Sequence, residues 1–411
     1  MSTLRNPELA PLGHDKMDWV RRKMPVLMAL RERYIRDLPF QGERIAISLH
    51  LEAKTAILAE LLHMGGASVS ITSSNPLSTQ DDVAAALASK GMEVHAFRGA
   101  DEKEFDGFQQ KVLDLEPTLI IDDGGELTDR LHTSRRNLAI NVKGGAEETT
   151  TGVSRLKALA AHKKLLYPMI AVNDADMKHL FDNRYGTGQS TWDGIMRTTN
   201  LLIAGSTVVV AGYGWCGRGV ADRARGLGAR VIVTEVNPVR ANEALMDGHH
   251  VMTMDQAASY GDFFVTVTGN RDVIKPEHFT KMKDGAVLAN AGHFDVEVDV
   301  RGLRAMATEL VPGRNEDVQG FVLPTGQTLW LLAEGRLVNL AAGDGHPVEI
   351  MDLTFGLQAL SLEYLLEHPL EPGLYPVDSS VDQWVAEIRL KALGIAIDRL
   401  TPDQERYLAS W

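Results

Sequence analysis

One stretch decides the fold: Thr207-Val-Val-Val-Ala-Gly-Tyr-Gly-Trp-Cys-Gly-Arg-Gly219, in which an apolar run leads directly into closely spaced glycines. Gly212, Gly214 and Gly217 have the G-x-G-x-x-G spacing. The first permits a tight turn, the second lets a pyrophosphate approach the backbone, and the third lets a helix pack on its strand. The helix that begins near Trp215 directs its positive end at those phosphates. The stretch therefore predicts the dinucleotide turn of a Rossmann domain.

The acid after the next predicted strand indicates which dinucleotide binds. Residues 230–234 form that strand, and Glu235 follows it, about 20 residues after Gly214. A carboxylate at this position accepts hydrogen bonds from the ribose hydroxyls of the adenosine half and repels a 2′-phosphate. We therefore expect NAD as the cofactor. Cys216, inside the turn, is expected to be a small packing residue.

Apolar runs alternate with helical segments on both sides of this stretch. The predicted strands of the first half are residues 44–49, 68–72, 93–97, 119–122 and 169–172, and those of the second half are 207–211, 230–234, 263–268, 286–290 and 337–340. This order predicts an α/β fold with two doubly wound, Rossmann-type parallel sheets. A helix over 189–202 joins the two series. After the chain crosses back near residues 341–350, we expect a helix over 348–367, a Pro/Gly-rich turn over 368–376 and a last helix over 381–393.

We expect two domains and a tail. Residues 1–185 and 346–380 are predicted to form a substrate-binding domain, residues 186–345 the NAD-binding domain, and residues 381–411 a short C-terminal helical tail used for oligomerisation. The length of 411 residues exceeds what one ordinary core supports.

Composition excludes several classes of protein. A formal net charge of −13 would repel phosphate, so we expect no nucleic-acid partner. No apolar run reaches the roughly 18 to 20 residues that span a bilayer, and residues 1–19 lack the apolar core of a signal peptide. The single cysteine excludes an internal disulfide and a Cys-cluster metal site. We expect a cytoplasmic protein with no metal and no membrane partner.

Polar residues follow the predicted strands of the first half. His50, the pair Asp122-Asp123 and the pair Asn173-Asp174 each close one strand. Because ligands bind beyond the carboxyl ends of parallel strands, these side chains can converge on one crevice. For Asp122 and Asp174, capping of the next helix is an equally good interpretation.

Two further segments carry polar groups suited to a hydroxylated ligand. Lys178 and Asp182 have the i, i+4 spacing of one helical face and are followed by Asn183. The segment Gly144-Gly-Ala-Glu-Glu148-Thr-Thr-Thr151-Gly152 has three consecutive threonines beside acids and glycine. From the residues alone we expect a neutral polyol such as a sugar, bound beside NAD.

Several segments, in this order, resemble the S-adenosylhomocysteine hydrolase family over nearly the whole chain. They are Asn75-Pro-Leu-Ser-Thr-Gln-Asp81, Asp122-Asp-Gly-Gly-Glu-Leu-Thr128, Glu147-Glu-Thr-Thr-Thr-Gly-Val153, Phe181-Asp-Asn-Arg-Tyr-Gly186, Val210-Ala-Gly-Tyr-Gly214, Gly292-His-Phe-Asp-Val-Glu297 and Leu332-Ala-Glu-Gly-Arg-Leu-Val-Asn339. Unrelated dehydrogenases share only the glycine turn. A dehydrogenase of 2-hydroxy acids and a non-catalytic regulatory relative are the alternatives.

The resemblance implies a reversible hydrolysis of S-adenosyl-L-homocysteine to adenosine and homocysteine in a homotetramer. Tightly held NAD oxidises the 3′-hydroxyl, which makes the C4′ proton acidic. Homocysteine is then eliminated, water adds, and the sugar is reduced again. The positions that match the family's catalytic residues are His50, Asp123, Glu148, Lys178, Asp182 and His293.

The resemblance also implies a role for each of these side chains. Lys178 with Asp182 manages the 3′-hydroxyl proton, Glu148 holds ribose hydroxyls, and Asp123 with His50 serves C4′ and the 5′ leaving group, in a division with His293 that stays open. His293-Phe294 resembles the family's gate to the substrate channel. NAD contacts are implied for Thr149, Thr150, Thr151, Asn183, Glu235, Asn270 and Asn339, and substrate contacts for Glu52, Lys54, Thr55, His346 and Met351.

The chain departs from well-known eukaryotic members in the predicted base pocket, where it reads His50-Leu-Glu52-Ala-Lys54-Thr55. Lys54 offers only hydrogen-bond donors, which suit a keto oxygen at C6, and Glu52 suits the protonated N1 of hypoxanthine. An S-inosyl thioether is therefore an alternative substrate. In the other interpretation Glu52 and Lys54 pair with each other, and backbone groups read adenine.

Two other departures concern the cofactor. Longer family members end in a Lys- and Tyr-containing tail that reaches the neighbouring subunit's NAD, whereas this sequence ends Tyr407-Leu-Ala-Ser-Trp411. Thr187 replaces a family cysteine near the nicotinamide, a change that we expect to be tolerated.

Overall fold

A seven-stranded parallel sheet is built mainly from the first half of the chain. The structure is a computed structural model and describes residues 2–411. The sheet has the order β15-β6-β5-β4-β1-β2-β3. Its strands are β1 (Arg44–Leu49), β2 (Ser68–Ser73), β3 (Glu93–His95), β4 (Leu119–Asp122), β5 (Gly144–Glu147), β6 (Pro168–Ala171) and, after the second sheet, β15 (Gly373–Pro376). The strand order reverses between β1 and β4, which is where such sheets bind ligands.

The second sheet has eight strands in the order β12-β13-β14-β11-β10-β7-β8-β9. They are β7 (Thr207–Ala211), β8 (Arg230–Thr234), β9 (His250–Val251), β10 (Phe263–Thr266), β11 (Val287–Asn290), β12 (Glu309–Pro312), β13 (Val318–Val322) and β14 (Thr328–Leu332). All neighbours are parallel except at the edge, where β12, β13 and β14 are antiparallel. The order reverses between β7 and β10, so this sheet also has a ligand-binding edge.

Helices cover both sheets. They are α1 (Ala10–Arg21), α2 (Pro25–Asp37), α3 (Ala53–Met64), α4 (Asp81–Ser89), α5 (Glu102–Leu113), α6 (Glu126–His132), α7 (Thr150–Ala161), α8 (Asp176–Lys178), α9 (Thr187–Thr199), α10 (Trp215–Gly226), α11 (Pro238–Met246), α12 (Met254–Ala257), α13 (Pro276–Phe279), α14 (Val300–Met306), α15 (Val338–Ala341), α16 (Val348–Glu367), α17 (Ser379–Ala392) and α18 (Pro402–Ala409). A π-helix (His179–Gly186) precedes α9. No helix within residues 2–411 is both long and apolar enough to cross a membrane.

The helix α16 returns the chain to the first sheet and explains why that half is stable. It packs against α2, α3, α17 and β5, and Leu353, Phe355 and Leu357 on it are buried in the first core. Burial of such side chains contributes roughly 1.5–3 kcal/mol each. The fold class expected from the sequence, two α/β sheets with a short C-terminal helical tail, is confirmed.

The secondary structure of two segments differs from what the sequence predicted. Residues 337–340 were expected as a strand but form most of α15, with only an isolated bridge from Leu337 to Asn290. An apolar run of four residues does not distinguish a strand from a buried helix. Conversely, Gly144–Glu147 was not among the predicted strands but forms β5, between β4 and β6. A Cβ on Gly145 would lie 2.3 Å from Ile120 Cγ1, so glycine is what lets β4 and β5 approach.

Other predicted bounds were incomplete. The antiparallel strands β12 to β14 were not predicted, β15 lies inside the expected Pro/Gly-rich turn, and α18 lies in the expected tail. The joining helix begins at Thr187 and ends at Thr199, where Asn200 adopts a left-handed conformation (φ 55°) that closes the helix.

Candidate active site

A cavity of about 1310 Å³ lies between the carboxyl ends of the strands of both sheets. It is large enough for a dinucleotide together with a nucleoside. The predicted site residues that line it are His50, Glu52, Lys54, Thr55, Asp123, Glu148, Thr149, Thr150, Thr151, Lys178, Asp182, Asn183, Gly212, Gly214, Glu235, Asn270, His293, Asn339, His346 and Met351. Gly217 is not in the wall, because it packs beneath the turn.

The turn between β7 and α10 has the geometry that a pyrophosphate needs. Gly212 has φ +102°, which favours glycine, and a Cβ on Gly217 would lie 2.0 Å from the carbonyl oxygen of Gly212. A Cβ on Gly214 would have only Arg240 Nη1 nearby, at 3.8 Å, so the backbone here is open to a ligand. The helix α10 begins at Trp215 and aims its N-terminus at this space.

Two glycines of α10 provide a matched pair of variants. We expect Gly217→Ala to displace the turn, because its Cβ would overlap the Gly212 carbonyl, and the purified variant to contain less than about a tenth of the wild-type NAD. Gly226→Ala, in the same helix with no atom within 4 Å of the new Cβ, should keep NAD. NAD released by acid is the measurement, and full NAD content in Gly217→Ala would contradict the assignment of the turn.

Polar side chains at both ends of the cavity fit the rest of NAD. Glu235 accepts from the Tyr213 and Asn237 backbone N–H groups at 2.7 and 2.9 Å, which ties the end of β8 to the glycine turn. Asn339 donates to Ser190 Oγ at 3.2 Å, while its buried carbonyl oxygen has no partner. An unpartnered buried acceptor is costly, and Asn339 Oδ1 would be satisfied by a donor such as the carboxamide of a bound nicotinamide. The residues present therefore fit NAD.

A buried cluster around Lys178 forms the first acid–base group. Lys178 Nζ lies 3.0 Å from Asp182 Oδ2, 3.6 Å from Glu148 Oε1 and 2.7 Å from Asn183 Oδ1. The π-helix His179–Gly186 widens the backbone turn, so that residues four and five positions after Lys178 both reach its ammonium. Gln358 of α16 donates to Glu148 Oε2 at 2.6 Å.

The charges of this cluster follow from its burial. Burial alone would lower the pKa of Lys178, but the carboxylates of Asp182 and Glu148 outweigh it and raise that pKa above its usual value. Burial would raise the pKa of Asp182, but Lys178 and His346 hold it well below the usual range. Burial raises the pKa of Glu148 to about 8 against the effect of Lys178. The cluster therefore places one ammonium between an ionised Asp182 and Glu148, the carboxyl group of the two with the higher pKa.

His50, Asp123 and His293 form the second acid–base group. His50 Nε2 is 3.3 Å from Asp123 Oδ2, and His293 Nδ1 is 3.9 Å from Asp123 Oδ1. Asp123 Oδ1 is buried and unpartnered. The three side chains bring ligand atoms within 4.8 Å of one another and could hold a divalent ion. Burial lowers the pKa of His50, which favours a neutral imidazole beside Asp123.

Two serines that the sequence interpretation missed orient this group. Ser74 Oγ donates to Asp123 Oδ2 at 2.6 Å, and Ser78 Oγ lies 2.7 Å from His50 Nδ1. Ser78 also donates its single proton to the Asn75 carbonyl, which leaves His50 Nδ1–H as the donor in the other bond. His50 Nε2 is therefore the nitrogen free to take a proton. Both serines lie in or beside the quoted segment 75–81, which was the available signal.

Glu52 and Lys54 form an ion pair in the wall of the cavity. Lys54 Nζ is 2.9 Å from Glu52 Oε2 and donates to the backbone carbonyl of Asp344, also at 2.9 Å. Glu52 additionally caps α3 by accepting from the Lys54 and Thr55 N–H groups. The two side chains are 5% and 6% exposed, so the pair faces the cavity and not bulk solvent.

Of the remaining predicted residues, some line the cavity and others only make contacts within the protein. His346 hydrogen-bonds Asp182 through Nδ1 and lies 3.3 Å from Thr187 Oγ1 through Nε2. Beside Phe294, Arg155 donates to the Gly124 carbonyl at 2.7 Å and lies 5.0 Å over the Phe294 ring. Asp122 accepts from Leu127 and Thr128 N–H groups and so holds the start of α6, while Asp174 pairs with Lys157 near the surface.

The fold has two α/β sheets, and one cavity between them contains a dinucleotide-binding turn and two clusters of ionisable side chains, one around Lys178 and one around Asp123. These features define an enzyme of the class that binds a dinucleotide beside its substrate. The family described as "S-adenosyl-L-homocysteine hydrolase, NAD binding domain" matches residues 183–345, and "S-adenosyl-L-homocysteine hydrolase" matches residues 2–140. The adenosylhomocysteinase of Thermotoga maritima is 58% identical over 97% of this chain and 99% of its own length. The S-inosyl-L-homocysteine hydrolases of Methanopyrus kandleri and Methanocaldococcus jannaschii are each 55% identical, over 99% and 100% of this chain and 97% and 99% of their own lengths.

The chain therefore belongs to the S-adenosyl-L-homocysteine hydrolase family. It is a hydrolase, and NAD is its cofactor.

Proposed function

We propose that the protein reversibly hydrolyses a nucleosyl-L-homocysteine thioether by transient oxidation of the ribose at C3′. The observation that carries this proposal is the presence of two buried acid–base groups in one cavity with the dinucleotide turn. A simple dehydrogenase needs one such group, at the alcohol. A second group, His50 with Asp123 and His293, is what removal of a carbon-bound proton and release of a thiol require.

The chemistry explains why both groups are needed. The sulfur at C5′ is a poor leaving group as long as the neighbouring C4′ proton is not acidic. When bound, NAD takes a hydride from C3′ and returns it at the end of the cycle. The C3′ ketone makes the C4′ proton acidic, its loss expels homocysteine, and water adds to the enone. The net reaction consumes one water and leaves the cofactor unchanged.

Lys178 with Asp182 is proposed to handle the 3′-hydroxyl proton. Asp182 stays ionised and holds Lys178 at 3.0 Å. The positive charge of bound NAD would disfavour the ammonium, and Glu148, whose Oε1 is 3.6 Å away and whose pKa burial raises, can take the proton that Lys178 gives up. The free amine of Lys178 then takes the 3′-hydroxyl proton and later returns it. Glu148, fixed by Gln358, is also proposed to bind the ribose hydroxyls.

The second group is proposed to work at C4′ and C5′. Asp123 offers a buried, unpartnered oxygen for the C4′ proton. In the tautomer that Ser78 fixes, His50 Nε2 carries no proton and lies 3.3 Å from Asp123 Oδ2. It is suited to take over the C4′ proton from Asp123 and pass it to the leaving sulfur, and then to accept a proton from the incoming water. His293 sits on the gate beside Asp123, and the division of these transfers among the three residues stays open.

The base of the nucleoside has two candidates. S-adenosyl-L-homocysteine is the substrate that the family description names. S-inosyl-L-homocysteine is favoured by Lys54, whose ammonium lines the cavity with one N–H left after the bonds to Glu52 and Asp344. The third N–H of Lys54 can donate to the keto oxygen at C6 of hypoxanthine. The 6-amino group of adenine, at the same position, offers no acceptor for it.

One assay tests both the reaction and the base. Purified protein is offered adenosine or inosine with homocysteine, and thioether synthesis is followed. We expect synthesis without net NADH formation, and a kcat/KM for inosine above that for adenosine by more than about tenfold, or about 1.4 kcal/mol. Stoichiometric NADH without thioether would indicate a plain dehydrogenase, and a preference for adenosine would exclude the inosyl candidate.

We also propose the organisation in which this chemistry takes place. Residues 1–185 and 346–380 hold the substrate, residues 186–345 hold NAD, and residues 381–411 join subunits of a cytoplasmic homotetramer. The tail supports the proposed contact between subunits, because a cluster of exposed apolar side chains is typical of a protein interface. The exposed apolar side chains of the tail are Leu393, Ile395, Ile397, Leu400, Tyr407, Leu408 and Trp411. Light scattering of the protein with and without residues 393–411 tests the assembly.

A further inference from the structure

Lys54 holds the segment through which the chain crosses from the second sheet to the first. Residues 342–347, the connecting segment, join α15 to α16. The ammonium of Lys54, in the first turn of α3, donates to the carbonyl of Asp344 in this segment at 2.9 Å. We propose that Lys54 is a positioning residue, which ties the connecting segment to the base pocket and so couples recognition of the base to the placement of His346.

The bond from Lys54 to the Asp344 carbonyl is better protected from solvent than the ion pair of the Asp344 side chain. The Asp344 carboxylate pairs with Arg197 Nη1 at 2.9 Å, but both side chains are more than half exposed, and such pairs contribute little. Within the segment, the Gly345 N–H donates to the Asn339 carbonyl at 2.9 Å. Lys54 is buried and its hydrogen bond is charge-assisted, which makes it roughly twice as strong as a neutral one.

The connecting segment leads directly to the reacting end of the cavity. Two residues after Asp344, His346 hydrogen-bonds Asp182, which is 3.0 Å from Lys178 Nζ. Movement of the Asp344 backbone therefore moves His346 relative to the group that handles the 3′-hydroxyl proton. One ammonium of Lys54 donates to the segment and, in the proposed function, to the base, so an occupied base site would hold the segment in place. The tether does not depend on the proposed function, whereas its link to catalysis rests on it.

Hydrogen exchange of the Gly345 amide tests the tether in the NAD-loaded protein without nucleoside. Lys54→Met removes the ammonium at nearly constant length, and we expect this amide to exchange at least about tenfold faster than in the wild type. Lys54→Arg, which keeps a cationic donor, should restore slow exchange. Asp344→Ala is the matched control, because it removes the exposed carboxylate and leaves the carbonyl that Lys54 holds. Wild-type exchange in Lys54→Met would overturn the proposal.

A second readout separates positioning from simple base binding. Reduction of bound NAD is followed after rapid mixing with saturating nucleoside. The tether predicts a lower limiting rate in Lys54→Met, while a pure base contact predicts weaker nucleoside binding with an unchanged limiting rate, which would overturn the coupling. If Lys54→Met fails to fold, judged by exchange of the β7 amides, Lys54→Gln, too short to reach the carbonyl, replaces it. Absence of NAD reduction in the wild type would instead refute the proposed function and leave the Gly345 result standing.

Discussion

Replacing Lys178 with methionine is expected to lower kcat by about 10²- to 10⁴-fold and to abolish reduction of bound NAD on mixing with nucleoside. Lys178 is buried between Asp182 and Glu148, so methionine preserves the packing and removes the only amine in this cluster. The rate of the absorbance rise of NADH after rapid mixing is the measurement.

The control for this variant is Lys143→Met. Lys143 pairs with Glu43 on the protein surface at the amino end of β5, opposite the cavity. It should reduce NAD at the wild-type rate. If Lys178→Met oxidised the nucleoside normally and lost only thiol release, the assignment of the 3′-hydroxyl proton to Lys178 would be wrong.

Asp123→Asn is expected to separate the two halves of the reaction. The amide keeps an acceptor for Ser74 but cannot take the C4′ proton, so oxidation should proceed while thiol release slows by about 10²- to 10⁴-fold. NADH should therefore accumulate when the thioether is added and persist. Absorbance and homocysteine release are measured on the same sample.

An exposed aspartate provides the comparison for Asp123→Asn. Asp114→Asn removes a surface pair with Arg135 and should leave both half-reactions unchanged. Loss of NAD reduction in Asp123→Asn, equal to its loss of hydrolysis, would show that Asp123 acts at C3′ and not at C4′.

Much of the site could be predicted because parallel strands place their carboxyl ends at one edge. His50 follows β1 and Asp123 follows β4, so the convergence of these two side chains follows from strand order alone. Glu148 follows β5, a strand that the sequence did not predict. The glycine turn was equally predictable, since the backbone at each of these positions leaves no room for a side chain or must be open to the ligand. The i, i+4 spacing indicated the pair of Lys178 and Asp182, and the family resemblance supplied the role of that pair and the position of His346.

The contacts that the sequence did not predict depend on backbone geometry or on distant packing. The π-helix after Lys178 brings both Asp182 and Asn183 to its ammonium, whereas the i, i+4 rule predicts only the first. Gln358 reaches Glu148 only because α16 is buried against β5, although polar residues in an otherwise apolar helix were a usable signal. Lys54 contacts a backbone carbonyl 290 positions away, which no side-chain pattern can encode.

The central claim is that the ribose is oxidised before sulfur leaves. Rapid mixing of the NAD-loaded protein with the thioether substrate, with NADH absorbance and free homocysteine followed together in a single turnover, tests it most directly. The account predicts that absorbance rises first, that homocysteine appears afterwards, and that absorbance then returns to its starting value. Release of homocysteine with no preceding rise, or at full rate from protein stripped of its dinucleotide, would contradict it.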